Sequence, residues 1–542
     1  MNFVGVRVPP HCKFRTHSPF SLLQFLQRFG IDFRKREGIP SNPRPWPVCR
    51  SRCPGSSKNN PEPCRITPTT RAAGTAYSMK ITLLGAAGGE VTGSSYLVQT
   101  AAANVMIDCG LFQGSQKLEN SNRLPTTAAM QQLHAVVLTH AHLDHTGRLP
   151  LLTRFDYKGP IYATAATISL AELILKDSAY LQGEDAKRQN RWRSEKGQPL
   201  IEPLYTQKQV DHLHPLYRRL RYDHATEVAP GISVRAVEAG HVLGSASFEV
   251  TVEEGDRKRI VVFSGDIGPR GAPLHRDPVP LKHADLVFME STYGDKDHPS
   301  LAQTAALARD AVKATIEEKG RVLVPTFAIG RSQLLLYLLA GAFKRGTLTP
   351  FPIFLDSPMA IRATDIYKNN EDLFDEEAIA MRRSGDLSKN LRTAQVCQKA
   401  KDSMALARKP GPWMVLAGAG MCTGGRIMNH LQNHLPDPTT LVLMVGYQSR
   451  GSVGRALADG AKDVKIAGQK VKVQAKTHVF GGLSGHAGQS DLLNWFGSLA
   501  ASRPRVILTH GEDVQRQALG DCIRQRFGLT CEMPAHRAVV EF

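Results

Sequence analysis

The run Ala135-Val-Val-Leu-Thr139 is apolar and β-branched, and it ends abruptly in His140-Ala-His142-Leu-Asp144-His145-Thr-Gly147. A short apolar run bounded by polar residues reads as a buried strand, and the residues after it as a turn. Three imidazoles and one carboxylate within six residues form a donor set suited to a borderline-soft divalent ion. A turn aims alternate side chains in different directions, so His140 and His142 can bind one ion while Asp144 and His145 bind a neighbour. Surface histidines on a solvated loop are the bland alternative, and the buried strand feeding the cluster argues against it.

The same pattern recurs along the chain. Ile232-Ser-Val-Arg-Ala-Val leads toward His241, Ile260-Val-Val-Phe-Ser-Gly into Asp266, and Val506-Ile-Leu-Thr into His510. Each of these taken alone fits a hydrogen-bonded structural residue. Four strands that end in chemically able side chains point to one shared site, because layered α/β folds present loop residues at strand ends. Further strands are expected at Leu286-Val-Phe-Met before Glu290, Val322-Leu-Val, Met414-Val-Leu-Ala and Leu441-Val-Leu-Met-Val, with helical spacing over 301–318 and 332–343. The middle of the chain therefore alternates β and α, as a second sheet with covering helices would. Residues 177–227 are polar and charged with scattered aromatics, and read as helices and loops edging the site.

Two glycine-rich turns follow strands: Gly418-Ala-Gly-Met-Cys-Thr-Gly424-Gly425-Arg426 and Gly446-Tyr-Gln-Ser-Arg450-Gly. Exposed backbone N–H groups of Gly424 and Gly425, with Arg426 and Arg450 beside them, could cradle phosphates, and Arg331 could face the same path. The bland reading is a pair of tight turns.

With 542 residues the chain is long enough for two or three domains, and no run of about 18 apolar residues suggests a membrane span. Its 68 Lys+Arg against 49 Asp+Glu give a net charge of +19, which favours polyanionic partners. Residues 1–78 hold 13 basic and 3 acidic residues, so +10 of that charge belongs to this segment and +9 to the rest. Rich in Pro, Arg and Ser, residues 1–78 read as a disordered basic leader. It is either an organelle transit peptide or an over-extended reading frame, with translation starting at Met79. Cys49, Cys53 and Cys64 show zinc-like spacing without a fourth ligand, and the body's cysteines are unpaired in spacing, so a reduced, cytoplasmic protein is expected.

Through His140-x-His142-x-Asp144-His145, His241 and Asp266 the sequence resembles the metallo-β-lactamase superfamily. Glu290-Ser-Thr-Tyr-Gly, Leu483-Ser-Gly-His486-Ala-Gly-Gln and Thr509-His510-Gly are similar to the three extra motifs of its β-CASP subgroup of nucleic-acid nucleases. That group includes RNase J and the pre-mRNA 3′-end cleavage subunit. The resemblance covers 79–542. It implies an α/β fold, a metallo-β-lactamase αββα sandwich (79–290 and 469–542) with an inserted β-CASP α/β domain (291–468).

By the same likeness, His140, His142 and His241 hold one zinc, Asp144, His145 and His510 hold a second, and Asp266 bridges them. Asp108, which ends Val105-Met-Ile, orients a liganding histidine. Two such ions about 3.5–4 Å apart deprotonate a shared water and neutralise an attacked phosphate. His486 is then the general acid and Glu290 holds it protonated. The implied activity is hydrolysis of single-stranded RNA, internally or from an end. A DNA-directed nuclease, a small-molecule metallo-hydrolase and a catalytically dead RNA-binding subunit are the alternatives, and His510 favours RNA by resemblance. The chain runs about 30 residues past His510, so no long C-terminal dimerisation domain like that of RNase J is expected, and a homodimer stays open.

Overall fold

A computed structural model describes residues 79–114, 116–446, 448 and 451–542. The basic leader, its cysteines and Arg450 lie outside the described residues. Strand Ala135–Val137 is buried at every position and pairs in parallel with Asn104–Ile107 on one side and Ile161–Thr164 on the other. A strand inside a sheet covered on both faces needs apolar residues throughout, which is what its run supplies. The full sheet has seven strands in the order Val539–Glu541, Lys80–Gly85, Ser95–Gln99, Asn104–Ile107, Ala135–Val137, Ile161–Thr164, Tyr217–Leu220.

A second seven-stranded sheet follows the order Cys531–Glu532, Arg505–Thr509, Leu286–Glu290, Arg257–Phe263, Ala246–Glu254, Ile232–Glu238, Ala225–Ala229. The two-residue side-chain period of a strand sorts each sheet into two faces. Ala135, Val137, Ile81 and Leu83 meet Phe248, Phe263, Phe288 and Ile507 between the sheets. Phe263 and Phe288 stack at 5.0 Å, with Tyr96 against both. Burial of each such ring contributes roughly 2–3 kcal/mol. Val136 and Met106 face outward onto helix Ala165–Glu195, while Val262, Val287 and Leu508 face helices Gln489–Gly497 and Asp513–Phe527. The result is an αββα sandwich.

The third sheet is wholly parallel, in the order Ala394–Val396, Ile353–Leu355, Trp413–Ala417, Arg321–Pro325, Thr440–Met444, Lys476–Val479. Helices Leu301–Glu317 and Arg331–Lys344 cover one face, and Ala400–Leu406, Ile427–His434 and Val453–Ala458 the other. This is the inserted α/β layer. Its last strand, Lys476–Val479, pairs with Thr440–Met444, so the inserted sheet runs past the expected return at 469.

The reading of 177–227 as helices and loops needs correction in one part. Tyr217–Leu220 and Ala225–Ala229 are edge strands of the first and second sheets. Their charged, half-exposed residues break the apolar pattern because an edge strand presents only one face to the core. Among the described residues no helix is long and apolar enough to cross a membrane.

Candidate metal centre

The residues singled out as donors come together where strands of both sandwich sheets end. His140 to His145 follow Ala135–Val137, Asp266 follows Arg257–Phe263, His510 follows Arg505–Thr509, and His241 lies on the turn between Ile232–Glu238 and Ala246–Glu254. Their donor atoms form two groups, His140, His142, His241 and Asp266, and Asp144, His145, Asp266 and His510, each within 4.8 Å. Asp266 belongs to both.

The first group places His142 Nδ1 3.2 Å from His140 Nε2 and 3.1 Å from His241 Nε2. Asp266 Oδ2 is 3.4 Å from His140 Nε2 and 3.6 Å from His241 Nε2. In the second, His145 Nε2 is 3.3 Å from His510 Nε2 and 3.2 Å from Asp266 Oδ1, and His510 Nε2 is 3.6 Å from Asp144 Oδ2. Tetrahedral ligands at about 2.05 Å from an ion stand about 3.3 Å apart, so these separations fit a tetrahedral divalent ion. Asp266 Oδ1 is buried and makes no hydrogen bond of good geometry. A donor set of five imidazoles and two carboxylates, one of them with an unsatisfied buried oxygen, fits a pair of divalent cations.

Outer partners fix which ring nitrogen faces inward. His145 Nδ1 lies 2.7 Å from Asp108 Oδ2, while Asp108 also accepts from the Thr139 backbone N–H and hydroxyl, each at 2.8 Å. His241 Nδ1 meets the Gly485 carbonyl at 2.8 Å, His510 Nδ1 the Thr292 hydroxyl at 3.1 Å, and His140 Nδ1 the Thr139 hydroxyl at 3.1 Å. In each case Nε2 is the nitrogen left for the centre. Thr139, Thr292 and the Gly485 carbonyl were not legible as partners, although each lies within a motif or beside one. Asp108 and His510 both have positive φ, 57° and 50°. Non-glycine residues held there cost of order 1 kcal/mol and cluster at functional sites.

The electrostatics divide the histidines. Burial and neighbouring imidazoles hold His140 and His241 well below the usual histidine value, and burial brings His142 to about 4, so all three are neutral and have lone pairs to give. Burial acts the same way on His145 and His510, but Asp266 in both cases, with Asp108 at His145 and Asp144 at His510, outweighs it and raises them. Asp144 sits at about 2: burial pushes it up, and His510 and His145 more than offset that.

His486 stands beside both groups. Its Nδ1 is 3.3 Å from Glu290 Oε1 and 4.0 Å from Asp266 Oδ2. Glu290 is buried, and its carboxylate accepts from the Ile267 N–H at 2.7 Å and the Thr292 N–H at 3.2 Å. His486 remains partly exposed, and its carbonyl accepts from His298 Nε2 at 2.9 Å. Burial lowers the His486 pKa, and Glu290 reverses the sign, raising it overall.

Comparison with known proteins places this arrangement. Residues 88–326 match the model of the metallo-β-lactamase superfamily, 332–457 that of the Beta-Casp domain, and 470–534 that of the Zn-dependent metallo-hydrolase RNA specificity domain. A ribonuclease of Thermus thermophilus is 39% identical over 449 residues, covering 83% of this chain and 96% of the relative. The chain belongs to the β-CASP group of the metallo-β-lactamase superfamily. Transcription termination factors FttA are also similar: that of Methanosarcina mazei is 30% identical over 80% of this chain and 67% of its own length, and that of Methanocaldococcus jannaschii 29% over 83% and 70%.

The β-CASP sheet turns the carboxyl ends of its strands toward this centre. His486 and Gly485 follow Lys476–Val479, and Arg331 opens the helix after Arg321–Pro325. A Cβ on Gly485 would lie 2.8 Å from Arg331 Nη2 and 3.4 Å from the His241 ring, so glycine lets the guanidinium and a metal-side imidazole close around the backbone. No carboxylate pairs with Arg331 among the described residues, and burial depresses its pKa to about 10. Arg426 differs. It donates to Asp356 and the Cys397 carbonyl from Nη1 at 2.7 Å and to the Gln398 carbonyl from Nη2 at 2.9 Å, so three of its five N–H groups are committed within the fold. Gly425 has φ +73°, and a Cβ there would meet the Gly418 carbonyl at 2.2 Å; Gly424 faces open space.

Proposed function

We propose that this chain is a metal-dependent ribonuclease that hydrolyses phosphodiester bonds of single-stranded RNA, with two zinc ions as its cofactors. The single observation that carries the reading is the pair of four-donor groups sharing buried Asp266, with His486 and Glu290 against them. The likeness to a ribonuclease and to transcription termination factors, and the match to an RNA specificity domain at 470–534, support RNA over a small-molecule substrate.

His140, His142, His241 and Asp266 would hold one ion, and Asp144, His145, His510 and Asp266 the other. Bound there, the pair supplies Lewis acidity toward a phosphate and makes water nucleophilic at neutral pH. The residues around it do the rest. Asp108 keeps His145 in one tautomer. Arg331, with no acidic partner among the described residues, turns a phosphate oxygen toward the centre. Glu290 anchors His486 through Nδ1 and keeps it protonated, so that Nε2 delivers a proton to the departing oxygen. Asp144 acts beside the attacking water. Gly424 and Gly425 line the RNA path, and the two seven-stranded sheets with their helices form the catalytic domain around an insert that opens after Glu290 and whose sheet runs to Val479. A cytoplasmic setting suits the five free thiols among the described residues.

Elemental analysis, followed by incubation of metal-loaded protein with labelled single-stranded RNA, matched DNA and a chromogenic lactam, tests the proposal. Two equivalents of zinc and cleavage of RNA alone are expected; metal-independent cleavage, or turnover of the lactam alone, overturns it. Light scattering of the same sample distinguishes monomer from homodimer.

A further inference from the structure

Helix Ala165–Glu195 is 31 residues long, and only its first half is needed by the core. It starts beside the metal centre: the hydroxyls of Thr164 and Thr167 both donate to the carbonyl of Gly244, three residues after His241. It packs on helix Pro358–Lys368 of the inserted layer, where Asp177 lies in the field of Arg362. Beyond Ala179, Ala186 is its one buried residue. At 1.5 Å per residue, Trp192 lies about 38 Å along the helix from Thr167.

The far half is nevertheless built. The chain returns antiparallel to it, and side chains pin the return at successive levels. Asn190 exchanges two hydrogen bonds with the Ile201 backbone, at 2.8 and 2.9 Å. Gln182 accepts from the Leu204 N–H, Tyr205 donates to Ser178, and Arg193 donates to the Pro199 carbonyl. Beyond Ala179 the arm is pinned by polar side chains more than by apolar packing, which leaves its surface to the solvent. That surface carries Trp192, half exposed at 51%, with Tyr180 and Leu200 more so. Residues 187–196 hold five basic side chains against one acid, Glu195; Lys187 and Arg188 pair with Glu184 and Asp185 one turn earlier, which leaves Arg191, Arg193 and Lys196 beside Trp192 in sequence. Lys196 Nζ sits over the Trp192 ring at 4.1 Å, and the Arg191 side chain has no carboxylate partner among the described residues.

An exposed aromatic ring with a lysine over it and Arg191 without a carboxylate partner among the described residues beside it in sequence matches a polyanion with stackable bases better than it matches an apolar protein surface. We propose that the tip of this arm is a second RNA-binding site, which captures the strand about 38 Å from the scissile bond and so makes affinity depend on RNA length. The proposal rests on the ribonuclease reading and adds to it a site outside the catalytic cleft.

The test compares full-length wild type with W192A, R191E/K196E and a control, R257E. Arg257 is exposed and begins the strand whose other end leads to Asp266, so it lies at the opposite end of the sandwich. Binding is measured for a labelled RNA of about 30 nucleotides and for one of about four, which at 3.4 Å per stacked nucleotide is too short to span the arm. For the longer RNA, W192A weakens Kd about fivefold or more, and R191E/K196E about tenfold with a shallower salt dependence. Saturated kcat and tetranucleotide binding stay at wild-type values, and R257E binds normally. Equal binding by all variants, a loss matched by R257E, or a change in molar mass by light scattering that marks the arm as a contact with a second copy, overturns the site. Failure of the wild type to cleave any RNA would sink the ribonuclease reading instead, while leaving the affinity comparison readable.

Discussion

Asp266 and Asp356 are both buried carboxylates set past the end of a strand and surrounded by basic side chains, yet they are satisfied in opposite ways. Around Asp356, Arg426 and His430 donate at 2.7 Å and Ser403 at 2.5 Å. Burial would raise its pKa, and these three bonds lower it instead. Around Asp266 stand His140, His145, His241 and His510 at 3.2 to 3.6 Å, too far or too poorly aligned to satisfy its Oδ1. One carboxylate is met by donors at hydrogen-bonding distance; the other stands among imidazoles whose nitrogens also converge on one another. A set of donors converging on one another is a ligand site, whereas a set converging on acceptors is a structural knot.

Breaking each carboxylate separates the two kinds. Asp266→Ala removes the donor shared by both groups, and turnover should fall at least about a thousandfold with loss of metal by elemental analysis. His486→Ala should come next: kcat falls about a thousandfold, as for other positioned acids, but metal content is unchanged. Loss of metal in that variant would move His486 into the ligand set. Asp356→Ala should keep its metal and lose stability, about 3 kcal/mol by denaturant unfolding, because buried His430 and partly buried Arg426 are left without their partner. A metal-free Asp356→Ala with native stability would erase the distinction. Asp108→Asn should weaken metal binding about 10–100-fold in chelator competition, since it can no longer hold the His145 tautomer as a carboxylate does.

The same contrast explains what the sequence shows and hides. His140, Asp266 and His510 were legible because each follows an apolar run, and a buried strand that stops at a polar residue marks a loop held by a rigid element. The strands and a second, helix-covered sheet in the middle of the chain followed from the same runs, whereas the αββα sandwich was implied by the resemblance to the metallo-β-lactamase superfamily. Arg426 reads as a phosphate contact because it ends a glycine-rich turn; its pairing with Asp356, 70 residues earlier, is not legible there, because pairing at that range leaves no local pattern. Tyr217–Leu220 was hidden by Arg218 and Arg219, whose side chains point off a sheet edge into water. The arm at 187–196 showed in the sequence only as charge with scattered aromatics; that it projects, and is pinned by Asn190 and Gln182, is a property of the return chain.

Glu290→Gln is the finest test of the contrast, since it removes a charge and leaves the shape. Burial disfavours the imidazolium of His486, and the negative charge of Glu290 at 3.3 Å reverses that, so the folded pKa is raised. An acid acts while it carries its proton, so activity persists below the folded pKa and declines as pH rises through it. A neutral amide at 290 can still bond Nδ1 but no longer stabilises the cation, and the His486 pKa falls. The alkaline limb of the kcat profile should therefore move to lower pH by about one unit, the size expected from a partly screened charge at hydrogen-bonding distance, while the acid limb and metal content hold. An alkaline limb that does not move would show that His486 is not the group whose proton limits the reaction, and the acid would then have to be sought among the groups around Asp266 itself.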